Sequence, residues 1–190
     1  MIPAFSLERT QELLWELADM LKNKQIPNIP IFLDSPLAIR ASAVYQQYSS
    51  YLNRVNIRQD SFSFLKSPNV RETLTTEESK LINGASNPKI IIAGSGMSTG
   101  GRILHHESRY LQDPKSTILF IGYQAPGSLG RRIQDGAEAV TIFGKEILVR
   151  CHKEVIHGYS AHPDENTLFE FVQEKADTLR HAYVIHAEPK

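Results

Sequence analysis

An α/β fold with a mostly parallel sheet flanked by helices is the architecture this sequence predicts, on three observations. Short apolar runs without polar alternation, at residues 29–34 and 88–93, suit strands covered on both faces. Stripes of helical spacing separate those runs. A glycine-rich connection at residues 94–102 joins one strand directly to the next helix, as βα units do.

Taken in order, Ser6 stands as an N-cap before Leu13, Leu14, Leu17 and Leu21, whose spacing predicts a helix. That helix stops before Pro27, with Lys22 and Lys24 suited to its C-terminal end. Residues 29–34 read as a buried strand. Ser35 and Pro36 open the next helix, with Pro36 in its first turn, and that helix carries Leu37, Ala41, Val44, Tyr45 and Tyr48. Residues 49–87 are the least regular, with one short helical segment near 75–83. Alternation then resumes as a strand at 88–93, a helix at 101–111, a strand at 116–122 and a short helix at 128–135. Two β-type runs at 139–143 and 147–156 follow, then a helix at 163–176 and a last strand at 182–186.

The 190 residues suffice for one full domain, and the 41% apolar content is normal for a globular core. Lys and Arg total 21 and Asp and Glu total 21, which argues against an undirected basic coat for nucleic acid but leaves room for a local groove. Cys151 is the only cysteine, so neither an intrachain disulfide nor a thiolate zinc site is available within the chain. No apolar run is long enough to span a bilayer, and no secretory leader is recognisable, so a soluble cytoplasmic domain is expected. The chain stops four residues past its last strand, leaving a sheet edge uncovered, and is expected to be a piece of a longer protein.

Three segments could carry chemistry. In the segment from Ala93 to Arg102, glycines let backbone N–H groups approach an anion at a helix start, and Arg102 could add a forked phosphate contact. A plain βα turn in which glycine serves packing is equally consistent with these residues. A dinucleotide site is disfavoured, because the following strand ends Ile121-Gly122-Tyr123-Gln124 without the acidic residue that would hold a ribose. Second, Pro163 at a first helical position would make His162 the N-cap, with Asp164 and Glu165 in the first turn and Ser160 nearby. Histidine is a poor cap, so the placement suggests a role for the ring in a cleft. Third, His186 closes an apolar strand, where open α/β sheets place site residues, although a lone histidine there is more often structural. His105 and His106 are adjacent on a helix and face different ways, while His152, His157 and His181 lack ligand spacing. A complete zinc site is not expected from this chain alone.

Together these segments resemble the β-CASP family of the metallo-β-lactamase superfamily, which includes RNA-processing nucleases. The resemblance runs from Ile2-Pro3-Ala4-Phe5 and Arg9-Thr10-Gln11-Glu12 through Phe32-Leu33-Asp34-Ser35-Pro36-Leu37-Ala38. It continues in Ser95-Gly96-Met97, Gly100-Gly101-Arg102 and Gly122-Tyr123-Gln124. Tyr159-Ser160-Ala161-His162 matches the family's motif B, and Val184-Ile185-His186 with Glu188 matches motif C.

The resemblance implies a β-CASP domain at residues 1–150 and, at 151–190, an incomplete segment returning to a metallo-β-lactamase-like hydrolase domain. It also implies that His162 acts as a general acid or helps orient one, and that His186 binds one of two zinc ions. Ser160, Ser95, Gly96, Gly101 and Arg102 would hold the RNA backbone. The motif His-x-His-x-Asp-His and the other acidic ligands, which in the family precede the Pro-Ala-Phe segment, are not present, so the chain alone is expected to be inactive and to bind zinc poorly or not at all. A non-catalytic RNA-binding module whose partner supplies the metal site is the alternative. The expected partners are RNA and the metallo-β-lactamase domain of the same protein, with homodimerisation through the C-terminal segment or exposed sheet edges.

Overall fold

Strand β2 (Ile31–Asp34) is buried at every position, as its unbroken apolar run requires of a strand covered on both faces. The computed structural model describes residues 1–51, 67–159 and 163–183, and these form two compact units, Met1–Tyr159 and Ser160–Lys190. In the first unit β2 sits between β3 (Val70–Glu72) and β4 (Ile90–Ala93), and β4 also pairs with β1 (Ile2–Pro3), all in parallel. A second parallel pair joins β5 (Thr117–Phe120) to β8 (His152–Val155). Met1 links the two ladders: its amine donates to the Thr117 carbonyl at 2.8 Å, and its own carbonyl accepts from the Leu119 N–H at 3.0 Å. The resulting order is β3-β2-β4-β1-β5-β8.

Period-two alternation sorts the core onto two faces. Ile2, Ile31, Leu33 and Ile92 pack with Leu13, Leu14 and Leu17 of α1 (Arg9–Lys22) and with Ala38 and Ile39 of α2 (Pro36–Gln47). Phe32 and Ile91 pack with Ile82 and with Tyr110 of α4 (Ile103–Tyr110). Ile118 and Phe120 pack with Leu104 of α4 and Ile133 of α5 (Leu129–Gln134). This unit also holds a short helix α3 (Thr76–Leu81), opened by a Thr75–Glu78 capping box, and an antiparallel hairpin of β6 (Ala139–Ile142) and β7 (Lys145–Leu148).

Several expectations are corrected. The first helix begins at Arg9, not after a Ser6 cap, because Ser6 Oγ lies 3.3 Å from Ser35 Oγ while its carbonyl accepts from Gln11 Nε2. On α2, Leu37, Val44 and Tyr48 are exposed, and the buried face is Ala38, Ile39, Ala41 and Ser42. Small residues let α2 approach α1 closely enough for Gln11 Nε2 to donate to Ser42 Oγ at 2.8 Å. The run at 147–156 divides into β7 and β8, separated by residues 149–151. In the second unit α6 (Glu165–Gln173) is capped by Asp164, whose side chain accepts from the Thr167 N–H at 2.8 Å. The cap is therefore not His162: aspartate is among the preferred N-caps, and the helix takes its start from it. Ala182 and Tyr183 lie in no strand, and the rest of the strand expected at 182–186 falls outside the described residues.

Leu14 is fully buried whereas Leu37 is 64% exposed. Leu14→Ala is expected to lower the unfolding free energy by about 2–5 kcal/mol. Leu37→Ala is expected to change it by about 0.5 kcal/mol or less, both read from urea denaturation.

Candidate nucleic-acid interface

The last residue of β2 organises the site. Alternation turns Asp34, like Phe32, towards α4, and its carboxylate is fully buried there. Thr73 Oγ1 and Arg102 Nη1 each donate to Oδ1 at 2.7 Å, Ser79 Oγ donates to Oδ2 at 2.6 Å, and His106 Nε2 lies 2.7 Å from Oδ2. Burial by itself pushes the carboxyl up. The hydrogen bonds from His106, Ser79, Thr73 and Arg102 outweigh it and hold Asp34 well below the usual carboxylate range.

Arg102 closes the glycine-rich turn onto this charge. Nη1 also donates to the Thr73 carbonyl at 2.7 Å and Nη2 to the Leu74 carbonyl at 2.9 Å. Three of the guanidinium's five N–H groups are thereby engaged. The side chain is 20% exposed.

Within the turn, the Ser95 N–H donates to the Gly100 carbonyl at 3.3 Å and the Ile103 N–H to the Gly94 carbonyl at 2.9 Å. Gly101 has φ +72°, and a Cβ there would lie 2.7 Å from the Gly94 carbonyl oxygen, so only glycine fits. Ser98 is buried with φ 55° and donates to Glu107, itself fully buried on α4. Burial pushes the Glu107 carboxyl up to about 7, against the opposing pull of Ser98 and the Met1 amine.

The turn's hydrogen bonding is lopsided. The carbonyls of Gly94, Ser95, Met97 and Gly100 accept from the N–H groups of Ile103, Ser98, Gly130 and Ser95, and the Gly96 carbonyl accepts from Gln124 Nε2 at 2.8 Å. Among the described residues, the N–H groups of Gly96, Met97, Thr99, Gly100 and Gly101 have no acceptor. Ser95 Oγ and Thr99 Oγ1 lie 3.0 Å apart in the same turn, and α4 begins immediately after it. Such an excess of donors at a helix start is an anion-binding arrangement. The turn also lies where the sheet's winding reverses: the connection from β1 to β2 passes β4 in one direction, and that from β4 to β5 passes β1 in the other. Open α/β sheets bind ligands at the carboxyl ends of strands flanking such a point.

Of the sequence-predicted site residues, Ser95, Gly96, Gly101 and Arg102 are brought together in this turn. Ser160, His162 and His186 lie outside the described residues. The Tyr159 hydroxyl donates to Glu16 on α1, fixing the chain just before Ser160. His105 is exposed against the Phe143 ring, with centroids 4.7 Å apart, while His106 is buried on Asp34, so the two do face different ways. Among the described residues, no three His, Cys, Asp or Glu side chains form a group that could hold a metal ion. Sequence reasoning missed Asp34, His106 and Glu107 as parts of the site. The one available signal was an acid ending a buried parallel strand; its partners, up to 72 residues away, carry no spacing signature.

The fold and turn define an α/β domain that presents backbone donors at a sheet switch point. Residues 10–133 match the Beta-Casp domain, and the chain belongs to the β-CASP family of the metallo-β-lactamase superfamily. It is 36% identical to "Ribonuclease TTHA0252" of Thermus thermophilus over 91% of this chain and 40% of that protein. It is 30% identical to "Transcription termination factor FttA" of Methanosarcina mazei over 100% of this chain and 31% of that protein. With "RNase J-like protein" of Methanocaldococcus jannaschii the identity is 34%, over 98% and 42%. The chain thus spans less than half the length of each of these curated relatives.

Asp34→Asn removes the charge that faces Arg102. The expected result is a loss of about 3–5 kcal/mol in unfolding free energy, with faster amide exchange at residues 95–102. Because the folded-state pKa is depressed, the aspartate's contribution is present in full above its ordinary value of 3.8 and is lost progressively as pH falls from there through the folded value. The stability gap between wild type and variant therefore persists at neutral pH and closes in strong acid, as urea denaturation across pH will show.

Proposed function

We propose that this chain is the RNA-holding portion of a metal-dependent ribonuclease that hydrolyses phosphodiester bonds in the cytoplasm. The observation that carries the reading is the run of N–H groups without acceptors in the turn at residues 94–102, in a chain whose relatives include proteins named as ribonucleases. A phosphodiester offers the negative oxygens these donors lack. Gly96 and Gly101 contribute backbone N–H groups and Ser95 its hydroxyl, while Arg102 fixes the turn on Asp34 and keeps two donors for phosphate.

The family resemblance adds Ser160 to the RNA-holding loop and gives His162 the part of general acid at the leaving oxygen. It assigns His186 to one of two zinc ions in the whole protein. The described residues of this chain do not by themselves fit such a centre, since they gather no metal-holding group. The centre's remaining ligands, in this reading, come from a metallo-β-lactamase domain that completes the enzyme.

The test compares the chain alone with the same chain joined to a domain carrying the His-x-His-x-Asp-His motif, measuring zinc content and cleavage of end-labelled RNA. The chain alone is expected to be inert and metal-poor; the joined protein cuts RNA, and His162→Ala abolishes cutting. Robust cleavage by the chain alone, lost in His162→Ala, would overturn the half-enzyme reading. A joined protein that binds RNA and zinc but never cuts would instead make the chain a non-catalytic RNA-binding module.

A further inference from the structure

We propose that Phe5 is the platform on which one base of a single-stranded RNA stacks, in a subsite beside the glycine-rich turn. The proposal rests on the RNA-holding reading above and names a group that reading does not use. Phe5 follows β1, between the carboxyl ends of β4 and β5, at the point where the sheet's winding reverses. Its ring packs on the backbones that follow both neighbouring strands. A Cβ at Gly96 would lie 2.7 Å from the ring and one at Gly122 would lie 3.5 Å from it. Glycine at these positions lets an aromatic ring settle directly onto the chain.

This seat is rigid. The Phe5 carbonyl accepts from Thr10 Oγ1 at 2.7 Å, and the Ala4 N–H donates to the Ala93 carbonyl at 3.0 Å. Beneath the ring, the buried Gln124 amide donates to the carbonyls of Gly96 and Gly122 at 2.8 and 3.1 Å, tying the two glycines together. Although it packs against both glycines, Phe5 remains 39% exposed at the carboxyl ends of the strands.

The chemistry beside the ring selects the occupant. An added peptide strand would need free carbonyls as well as free N–H groups, but the carbonyls of Gly94, Ser95, Gly96, Met97 and Gly100 are already engaged. Next to the ring, at Gly96 and Met97, the carbonyls are taken and among the described residues only the N–H groups lack a partner; N–H groups without an acceptor follow at Thr99, Gly100 and Gly101. A ligand that is flat and apolar on one part and anionic on the next satisfies both features. A nucleotide in an unpaired strand has this form, its base on the ring and its phosphate on the N–H groups. Every base has a π-face, so the subsite accepts any of the four.

The experiment measures binding of fluorescently labelled single-stranded RNA by anisotropy, using the full 190-residue chain and the variants Phe5→Leu and Phe5→Trp. The RNAs include a set in which a single abasic nucleotide is moved along the strand. Phe5→Leu is expected to weaken binding about tenfold while Phe5→Trp retains it, in keeping with base–aromatic stacking. At one abasic position wild type and Phe5→Leu are expected to bind equally, because no base is there to stack. A purely structural role for Phe5 would weaken every abasic RNA alike, which overturns the proposal, as does a Phe5→Leu variant that binds intact RNA like wild type. If wild type binds no RNA, the RNA-holding reading fails and this inference with it; wild-type binding that is indifferent to Phe5 sinks the inference alone.

Discussion

A single buried carboxylate carries more of this structure than any other group. Asp34 is fully buried yet stays charged, because four donors from two segments of the chain, residues 73–79 and 102–106, converge on its two oxygens. Taking a charge out of water costs several kcal/mol unless its partners are held in good geometry. The constraint therefore works in both directions. The cluster is stable only while Arg102, His106, Thr73 and Ser79 are in place, and each of those is located by the same contact. Arg102 and His106 fix the start of α4, and with it the glycine-rich turn; Thr73 and Ser79 fix the segment that follows β3.

The turn's excess of donors follows from this anchoring. With its ends held by Arg102 and by the Ile103–Gly94 hydrogen bond, the backbone takes a path that left-handed Ser98 and Gly101 make available. Five of its carbonyls, at Gly94, Ser95, Gly96, Met97 and Gly100, accept from protein donors, whereas among the described residues five of its N–H groups find no acceptor. Unpaired backbone groups are costly where they are buried, as at Gly96, and are met by water where they are exposed, as at Thr99 and Gly101. A site that receives an anionic backbone is a setting in which the shortfall becomes useful, and the winding of the sheet places it where ligands of α/β proteins bind.

Much of the fold was legible because its signals are local. Unbroken runs such as Ile90–Ala93 give parallel strands, Ser35–Pro36 gives a capped helix start, and the threonine and glutamate at 75 and 78 give a short helix. Where local signals competed, the reading slipped. Ser6 looks like a cap but is occupied by Ser35, and of the residues noted along α2 it is Ala41, beside Ala38, Ile39 and Ser42, that is buried, whereas Leu37, Val44 and Tyr48 stand outside. His162 lost the cap to Asp164, a better acceptor two residues on. Of the site, the glycine-rich turn could be read from composition. The Asp34 cluster could not, since an aspartate that ends a strand does not reveal in sequence which arginine and histidine will meet it.

The most direct measurement of the central claim is a titration of the isotope-labelled chain with single-stranded RNA, followed by amide NMR shifts at low and moderate salt. The account predicts the largest shifts at the N–H groups of Gly96, Met97, Thr99, Gly100 and Gly101, with apparent affinity falling as salt rises. Binding that shifts other surfaces and leaves these five amides unmoved would contradict it.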